Sequence, residues 1–369
     1  MTKILFLIRD LGQGGAEKVL VNLVNNMDPT KFDISVIALF GGGVNEQFLA
    51  PHIHFRSIWK HSIPGNSHLM KFLSPRRLHK LCVKEHYDIE VSYLEGPSAR
   101  VISGCPHKDT KLVSWIHVQQ NDIKTLCKAF RNEKEARQCY DRFHQTICVS
   151  EYVKQDFCGL LQFQKPCRVL YNTVESDKIL ARSTETAPEI RPNSSLSMIA
   201  VGTLKESKGY DRLLHIMKRL KAEDHHAHLY ILGIGELQQW IESYIRDNGL
   251  SDTVTLLGYQ TNPYKYVEKC DLFVCASHAE GFSTAATEAL IVGTPVCTVE
   301  VSGMKEMLGE NNEYGIVTEN TEDALYAGIK QLLDDPQLLQ HYAEQATLRG
   351  KAFSTKETVH AVEKMLIGL

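Results

Sequence analysis

A buried strand, a glycine-bearing loop and an amphipathic helix recur in that order at two places in the chain. No other feature constrains the fold as much. Lys3 to Arg9 reads as an apolar strand and runs into Gly12-Gln-Gly14-Gly15-Ala16-Glu17. A helix follows with apolar positions at Val19, Leu20, Leu23 and Val24. Phe32 to Phe40 is the next strand, and strand, loop, helix, strand calls for a parallel α/β sheet. The order restarts at Leu196 to Val201, which leads into Gly202 to Gly209 and a helix through Leu213, Leu214 and Met217. Between the two, residues 176–195 collect Ser, Thr, Pro and Asn, which is linker chemistry. A chain of 369 residues is long for one core, so the expectation is a domain at 1–175 and another at 196–354.

Further strands are expected at Ile89–Leu94, Lys111–Ile116, Gln145–Val149, Arg168–Asn172, Leu229–Leu232, Val254–Gly258, Asp271–Ala276, Pro295–Val299 and Gly315–Val317. His117 closes the strand segment that ends in Trp115 and Ile116, at a carboxyl end, where such sheets bind ligands. Glu95-Gly96 follows the preceding strand in the same manner and reads either as an ordinary loop or as facing an acceptor. The dinucleotide fingerprint Gly-x-Gly-x-x-Gly fails in the first loop because Glu17 holds its third position, which argues against NAD.

The stretch Glu280-Gly-Phe-Ser-Thr-Ala-Ala-Thr-Glu288 sits between a strand and a helix. Gly281 permits close backbone approach, and Ser283 or Thr284 can cap the helix. The first-turn amides and the positive end of the helix dipole make an anion site. Two carboxylates eight residues apart suit the hydroxyls of a sugar or ribose beside it. A phosphate and a polyol bound side by side describe a nucleotide sugar.

Glu280, Gly281, Phe282 and Glu288 resemble the Glu-x7-Glu element of the retaining glycosyltransferases of family 4. Gly14-Gly15-Ala16-Glu17 looks like that family's first loop, Lys208-Gly209 like its diphosphate-binding pair, and Asn172-Thr173-Val174 like its passage into the linker. The resemblance covers nearly the whole chain. It implies the GT-B fold, two Rossmann-like α/β domains with parallel sheets facing an interdomain cleft. The last helix, about 355–369, would pack back on the N-terminal domain. The C-terminal domain would bind the donor and the N-terminal domain the acceptor.

The resemblance also implies roles. Glu288 would hold ribose, and Glu280 with the amides of Gly281, Phe282 and Ser283 would hold the sugar. Lys208 would stabilise the departing diphosphate, His117 would reach a donor hydroxyl, and Gly258 would border the base. Gly14, Gly15, Thr203 and Gly209 would line the donor site, while Glu17, Glu95 and His117 would meet the acceptor. Glu280, Lys208 and His117 are thus the catalytic set. Thr203 departs from the pattern, because many relatives carry an arginine there whose bidentate grip threonine lacks. Retention of configuration, a UDP-sugar donor, a glycan or lipid-linked acceptor of a bacterial surface polysaccharide or capsule, and no metal or cofactor are implied. No Asp-x-Asp motif occurs. A non-catalytic nucleotide-sugar-binding subunit and a GT-B epimerase are the alternatives.

Charge is uneven along the chain. Residues 1–175 hold 23 Lys+Arg against 17 Asp+Glu, a balance of +6; the remainder holds 18 against 27, a balance of −9, and the sum is the net −3. The basic residues cluster at Lys71, Arg76, Arg77, Lys80 and Lys84, and at Lys124, Lys128, Arg131, Lys134 and Arg137. They read either as solvated helix faces or as contacts to anionic lipid or a lipid-linked pyrophosphate. No nucleic-acid module accompanies them. Ten cysteines without Cys-x-x-Cys spacing read as reduced thiols. With no signal peptide and no bilayer-length apolar run, the expected location is cytoplasmic, peripheral at most on the inner membrane face.

Overall fold

The computed structural model describes residues 1–12, 14–61, 70–120, 122–187, 190, 196–279, 282–301 and 303–369. The chain divides into two units, Met1–Val174 with Thr355–Leu369, and Glu175–Ser354.

In the first unit β1 (Thr2–Ile8), β2 (Phe32–Phe40), β3 (His54–Trp59), β4 (Ile89–Tyr93), β5 (Lys111–Ile116), β6 (Gln145–Cys148) and β7 (Cys167–Val169) form one sheet in the order β3-β2-β1-β4-β5-β6-β7. Every pair is parallel. The central strands are apolar along most of their length because helices cover both faces, so alternation is lost; β4 is buried at all five positions. The sequence does not announce β3. It is the edge strand, only partly buried, and its sequence His-Phe-Arg-Ser-Ile-Trp shows no apolar run. The described helices of this unit begin with α1 (Gly15–Asn26), α2 (Pro75–Cys82), α3 (Pro97–Ile102), α4 (Ile123–Leu126), α5 (Glu133–Tyr140) and α6 (Glu151–Leu161).

The second unit opens with α7 (Ser176–Ser183), inside the stretch expected to be linker. Ile179 is buried, and α7 packs on α10 (Tyr264–Lys269), with the Asn262 side-chain amide donating to the Arg182 carbonyl at 2.9 Å. One buried isoleucine among polar residues is too weak a pattern to announce a helix, and tertiary contact supplies the rest. The linker expectation therefore fails for residues 176–183.

The sheet of this unit runs β10 (Val254–Gly258), β9 (Ala227–Leu232), β8 (Leu196–Val201), β11 (Leu272–Cys275), β12 (Val296–Val299), β13 (Ile316–Thr318), again all parallel. Around it lie α8 (Tyr210–Ala222), α9 (Gln238–Asp247), α11 (Thr284–Ile291), α12 (Met304–Leu308), α13 (Glu322–Asp334) and α14 (Pro336–Gly350). The core is built from residues such as Met198, Leu229, Ile231, Val274 and Leu325.

The final helix, α15 (Thr355–Ile367), belongs to the first unit. It buries Val359, Val362, Met365 and Leu366. Glu363 accepts the Asp28 amide at 2.7 Å, and the Thr355 hydroxyl donates to the Val174 carbonyl at 2.8 Å.

Candidate active site

Each sheet reverses its strand order once; Lys208, Gly209 and Ser283 lie in loops at one reversal, and Gly14, Gly15, Glu17 and Glu95 follow the strands of the other. Open α/β sheets bind ligands beyond the strand carboxyl ends at that point, because loops on either side diverge there and leave a crevice.

In the second unit the reversal falls between β8 and β11. The loop after β8 carries Gly202 to Gly209, and the loop after β11 leads through Ser277 to α11. A pocket opens between them, lined by Val201, Lys208, Tyr210, Ala276, Ser277 and Ser283. The two loops touch: Gly209 has φ of +65°, and a Cβ there would lie 2.0 Å from the Ala276 carbonyl oxygen. The His278 amide donates to the Ser207 carbonyl at 2.9 Å. The Tyr210 hydroxyl donates to the Gly202 carbonyl at 3.0 Å, which ties the start of α8 to the end of β8. Only glycine permits both the left-handed backbone and the close approach at 209.

Ser283 caps α11, its hydroxyl accepting the Ala286 amide at 3.3 Å. The pocket therefore has a helix N-terminus on one side and the partly buried Lys208 on the other. This pairing suits a diphosphate. Glu288, in the second turn of α11, is partly buried, and its Oε1 accepts from the Tyr264 hydroxyl at 3.4 Å. Phe282 turns inward, its ring centroid 6.1 Å from that of Phe353, so its backbone is the part it can offer a ligand. Thr203 is exposed. Gly258 ends β10 with φ of +65° and open space at its Cα. Glu280 and Gly281 lie outside the described residues.

In the first unit the reversal falls between β1 and β4. Leu94, just past β4, has φ of +101°, and Gly96 has +83°. A leucine in that region costs on the order of 1–3 kcal/mol, and such strain concentrates at functional loops. Glu95 between them accepts the His117 amide at 3.0 Å and the Gln120 side-chain amide at 3.3 Å. Its carboxylate thus braces the loop after β5, and burial pushes its pKa up. His117 is 5% exposed, packs 4.6 Å from the Tyr93 ring, and has a buried Nε2 without a protein partner among the described residues. Burial pushes its pKa down to about 3, so the imidazole is neutral. Gly14 and Gly15 are exposed at the start of α1, and a Cβ on Gly14 would meet Glu17 Oε2 at 2.0 Å. The Glu17 carboxyl is raised by burial and by Asp10 nearby, against a lowering bond from its own amide. Tyr93 links the set, since Glu17 helps burial to raise its phenol and His117 packs on its ring.

Sequence reasoning passes over Tyr210, Ser277, Tyr264, Tyr93 and Gln120. Tyr210 and Ser277 adjoin motifs already recognised, and the positions just beyond each strand end were the signal that could have found them. Tyr264 joins Glu288 across 24 residues, which no local spacing signals. Two other clusters have metal-type donors within reach of one another, buried His79, Glu90 and Cys105, and exposed His86, His107 and Asp109. Neither lies among the predicted site residues.

Comparison with known proteins bears on the family and the fold. Residues 13–178 match the description Glycosyltransferase Family 4, and residues 182–349 match Glycosyl transferases group 1. The chain is 28% identical, over all of both chains, to the Campylobacter jejuni N-acetylgalactosamine-N,N'-diacetylbacillosaminyl-diphospho-undecaprenol 4-alpha-N-acetylgalactosaminyltransferase. It is 23% identical to the lipopolysaccharide core biosynthesis glycosyltransferase LpsE of Rhizobium meliloti, over 96% of each. Among solved structures, Anabaena HepE in complex with UDP superposes with a TM-score of 0.77 at 18% identity, covering 100% of both chains. A sucrose-phosphate synthase of Thermosynechococcus elongatus gives 0.79 at 16%, covering 100% of this chain and 99% of that one. With both halves matched and both sheets of the GT-B type, the chain belongs to the family 4 glycosyltransferases.

Proposed function

We propose that the protein moves a hexose-type sugar from a UDP-sugar to a lipid-linked diphosphate glycan, in the assembly of a bacterial surface polysaccharide at the inner face of the membrane. The observation that carries this reading is the pocket at the β8–β11 reversal, where Lys208 faces the Ser283-capped end of α11. The C. jejuni relative's diphospho-undecaprenol acceptor and the UDP of HepE support the choice of acceptor and donor class.

In this reading the bond between the anomeric carbon and the diphosphate breaks while the acceptor hydroxyl forms a bond on the same face. The hydroxyl proton leaves with the departing phosphate oxygen. Lys208 and the α11 amides neutralise the charge that develops on the diphosphate, so no protein nucleophile and no metal are assigned. Glu288, oriented by Tyr264, takes the ribose hydroxyls. Glu280 with the backbone of Gly281 and Phe282 takes the sugar. The first unit takes the acceptor at the Glu17, Tyr93 and His117 locus.

Lys208→Ala should lower kcat by about 10²–10³ or more, the scale of losing one charge-stabilising group. Radiolabelled transfer to a lipid-linked acceptor, with a circular-dichroism check of folding, measures it. Turnover within a factor of a few of the wild type would end the assignment.

A further inference from the structure

We infer that His86, His107 and Asp109 form a surface site for one divalent transition metal of the zinc class. His86 precedes β4, and His107 and Asp109 precede β5, so the three lie at the amino ends of those strands. Glu95 and His117 follow the same two strands at their carboxyl ends. The metal site therefore stands apart from the ligand crevice of its unit and takes no part in sugar transfer.

The donor atoms of the three side chains lie within 4.8 Å of one another. His86 Nε2 stands 3.2 Å from Asp109 Oδ2, and the two imidazole centroids are 4.7 Å apart with their planes at 74°. Zinc takes imidazole nitrogen at about 2.0–2.1 Å and carboxylate oxygen at about 2.0–2.2 Å, so tetrahedral angles put neighbouring donors about 3.3–3.5 Å apart. The His86–Asp109 pair already stands close to that spacing. All three residues are exposed, which leaves the fourth position to water. Two imidazoles with one carboxylate suit zinc, nickel or copper rather than magnesium or calcium, which prefer an all-oxygen shell.

Other surface histidines pair with a carboxylate alone, His54 with Asp33 at 3.2 Å and His215 with Glu322 at 2.8 Å. Among the described residues only one further set brings three such donors together, buried His79, Glu90 and Cys105. Those donors are engaged with one another. Glu90 Oε2 meets His79 Nε2 at 2.8 Å, and Glu90 Oε1 accepts from Cys105 Sγ at 3.5 Å, so both carboxylate oxygens are taken. The outer set is open to solvent and rests on a fixed support. The Thr110 hydroxyl donates to the Tyr87 carbonyl at 2.8 Å, and the Lys111 amide donates to the Asp88 carbonyl at 2.8 Å. Arg142 donates to the Cys105 carbonyl at 2.9 Å, just ahead of His107. The two segments are thus joined before any metal arrives, and little ordering is left for binding to offset. His86 Nε2 also lies 3.4 Å from Thr110 Oγ1, a contact the metal would displace.

The test is calorimetric titration of the full chain with zinc chloride, after stripping with EDTA and with the thiols kept reduced by a phosphine. One saturable equivalent should bind. Even a group that only orients a metal ligand is worth about 10–100-fold in affinity, so His86→Ala and His107→Ala should each weaken binding by about a hundredfold or more. His54→Ala removes an imidazole from a two-member pair and should leave the affinity unchanged. All three positions are exposed, and circular dichroism checks that the variants fold. The ten cysteines are the competing ligands, and cobalt(II) tells the two donor types apart. Nitrogen and oxygen donors give visible d–d absorption alone, whereas a thiolate adds an intense near-ultraviolet charge-transfer band. The first cobalt equivalent should show no such band. Absence of a saturable equivalent, wild-type affinity in both alanine variants, or a thiolate band at the first equivalent overturns the proposal.

Discussion

Replacing Gly209 by alanine tests whether the two loops of the second unit's pocket are held as close as they stand. The new methyl would lie 2.0 Å from the Ala276 carbonyl oxygen, 2.8 Å from its carbon and 3.3 Å from its Cβ. Ordinary carbon–oxygen contact begins near ~3.3 Å, so the loops must part by about 1.3 Å. Such a shift breaks the His278–Ser207 hydrogen bond, worth about 1 kcal/mol. Holding alanine at φ of +65° costs about 1–2 kcal/mol more, offset by up to ~1 kcal/mol from a stiffer unfolded chain. With the residual clash the total is about 3 kcal/mol. For a unit of this size each kcal/mol moves Tm by roughly 2–4 °C, so a drop of about 6–12 °C is expected. Gly249 is the control, because it has φ of +64° but nothing within 4 Å of a Cβ. Gly249→Ala keeps the backbone cost alone and should drop Tm by about 2–4 °C. Calorimetry of both variants decides. If they melt together, the close approach contributes nothing and the account of the pocket is wrong.

The neutral His117 makes the first unit acid-labile. Its folded pKa, about 3, lies below the unfolded 6.5, so below pH 6.5 the unfolded state binds the extra proton and stability is lost as pH falls toward 3. Urea melts at pH 7 and about pH 4.5 should show the wild type losing about 2–3 kcal/mol more than His117→Phe, and equal losses would contradict it. His79→Ala leaves the Glu90 carboxylate in the core without its imidazole, which should cost about 3–5 kcal/mol by chemical denaturation. Adding Glu90→Leu should recover much of that loss, and a double variant no better than the single one would refute the pairing.

Much of the architecture is legible because parallel strands are buried on both faces. Apolar runs such as Ile4–Ile8 or Leu272–Cys275 then stand out against glycine-bearing loops. Ser283 as a helix cap and Lys208-Gly209 before a helix are readable for a similar reason, since capping and turn chemistry are local. The unread parts depend on distance in sequence. β3 exists by pairing with β2, and α7 by packing on α10. The bonds that the Glu95 carboxylate accepts come from His117 and Gln120, 22 and 25 residues on. The strained Leu94 has no signature either, because leucine gives no hint of a positive φ.

The helix Thr355–Ile367 has a consequence for biosynthesis. Residues 1–174 leave the ribosome before the second unit is made, yet the helix Gly15–Asn26 and the Asp28 turn wait for a piece made after that unit. The first unit is thus finished only after the second has been made, and until then its open flank is a surface that chaperones must guard.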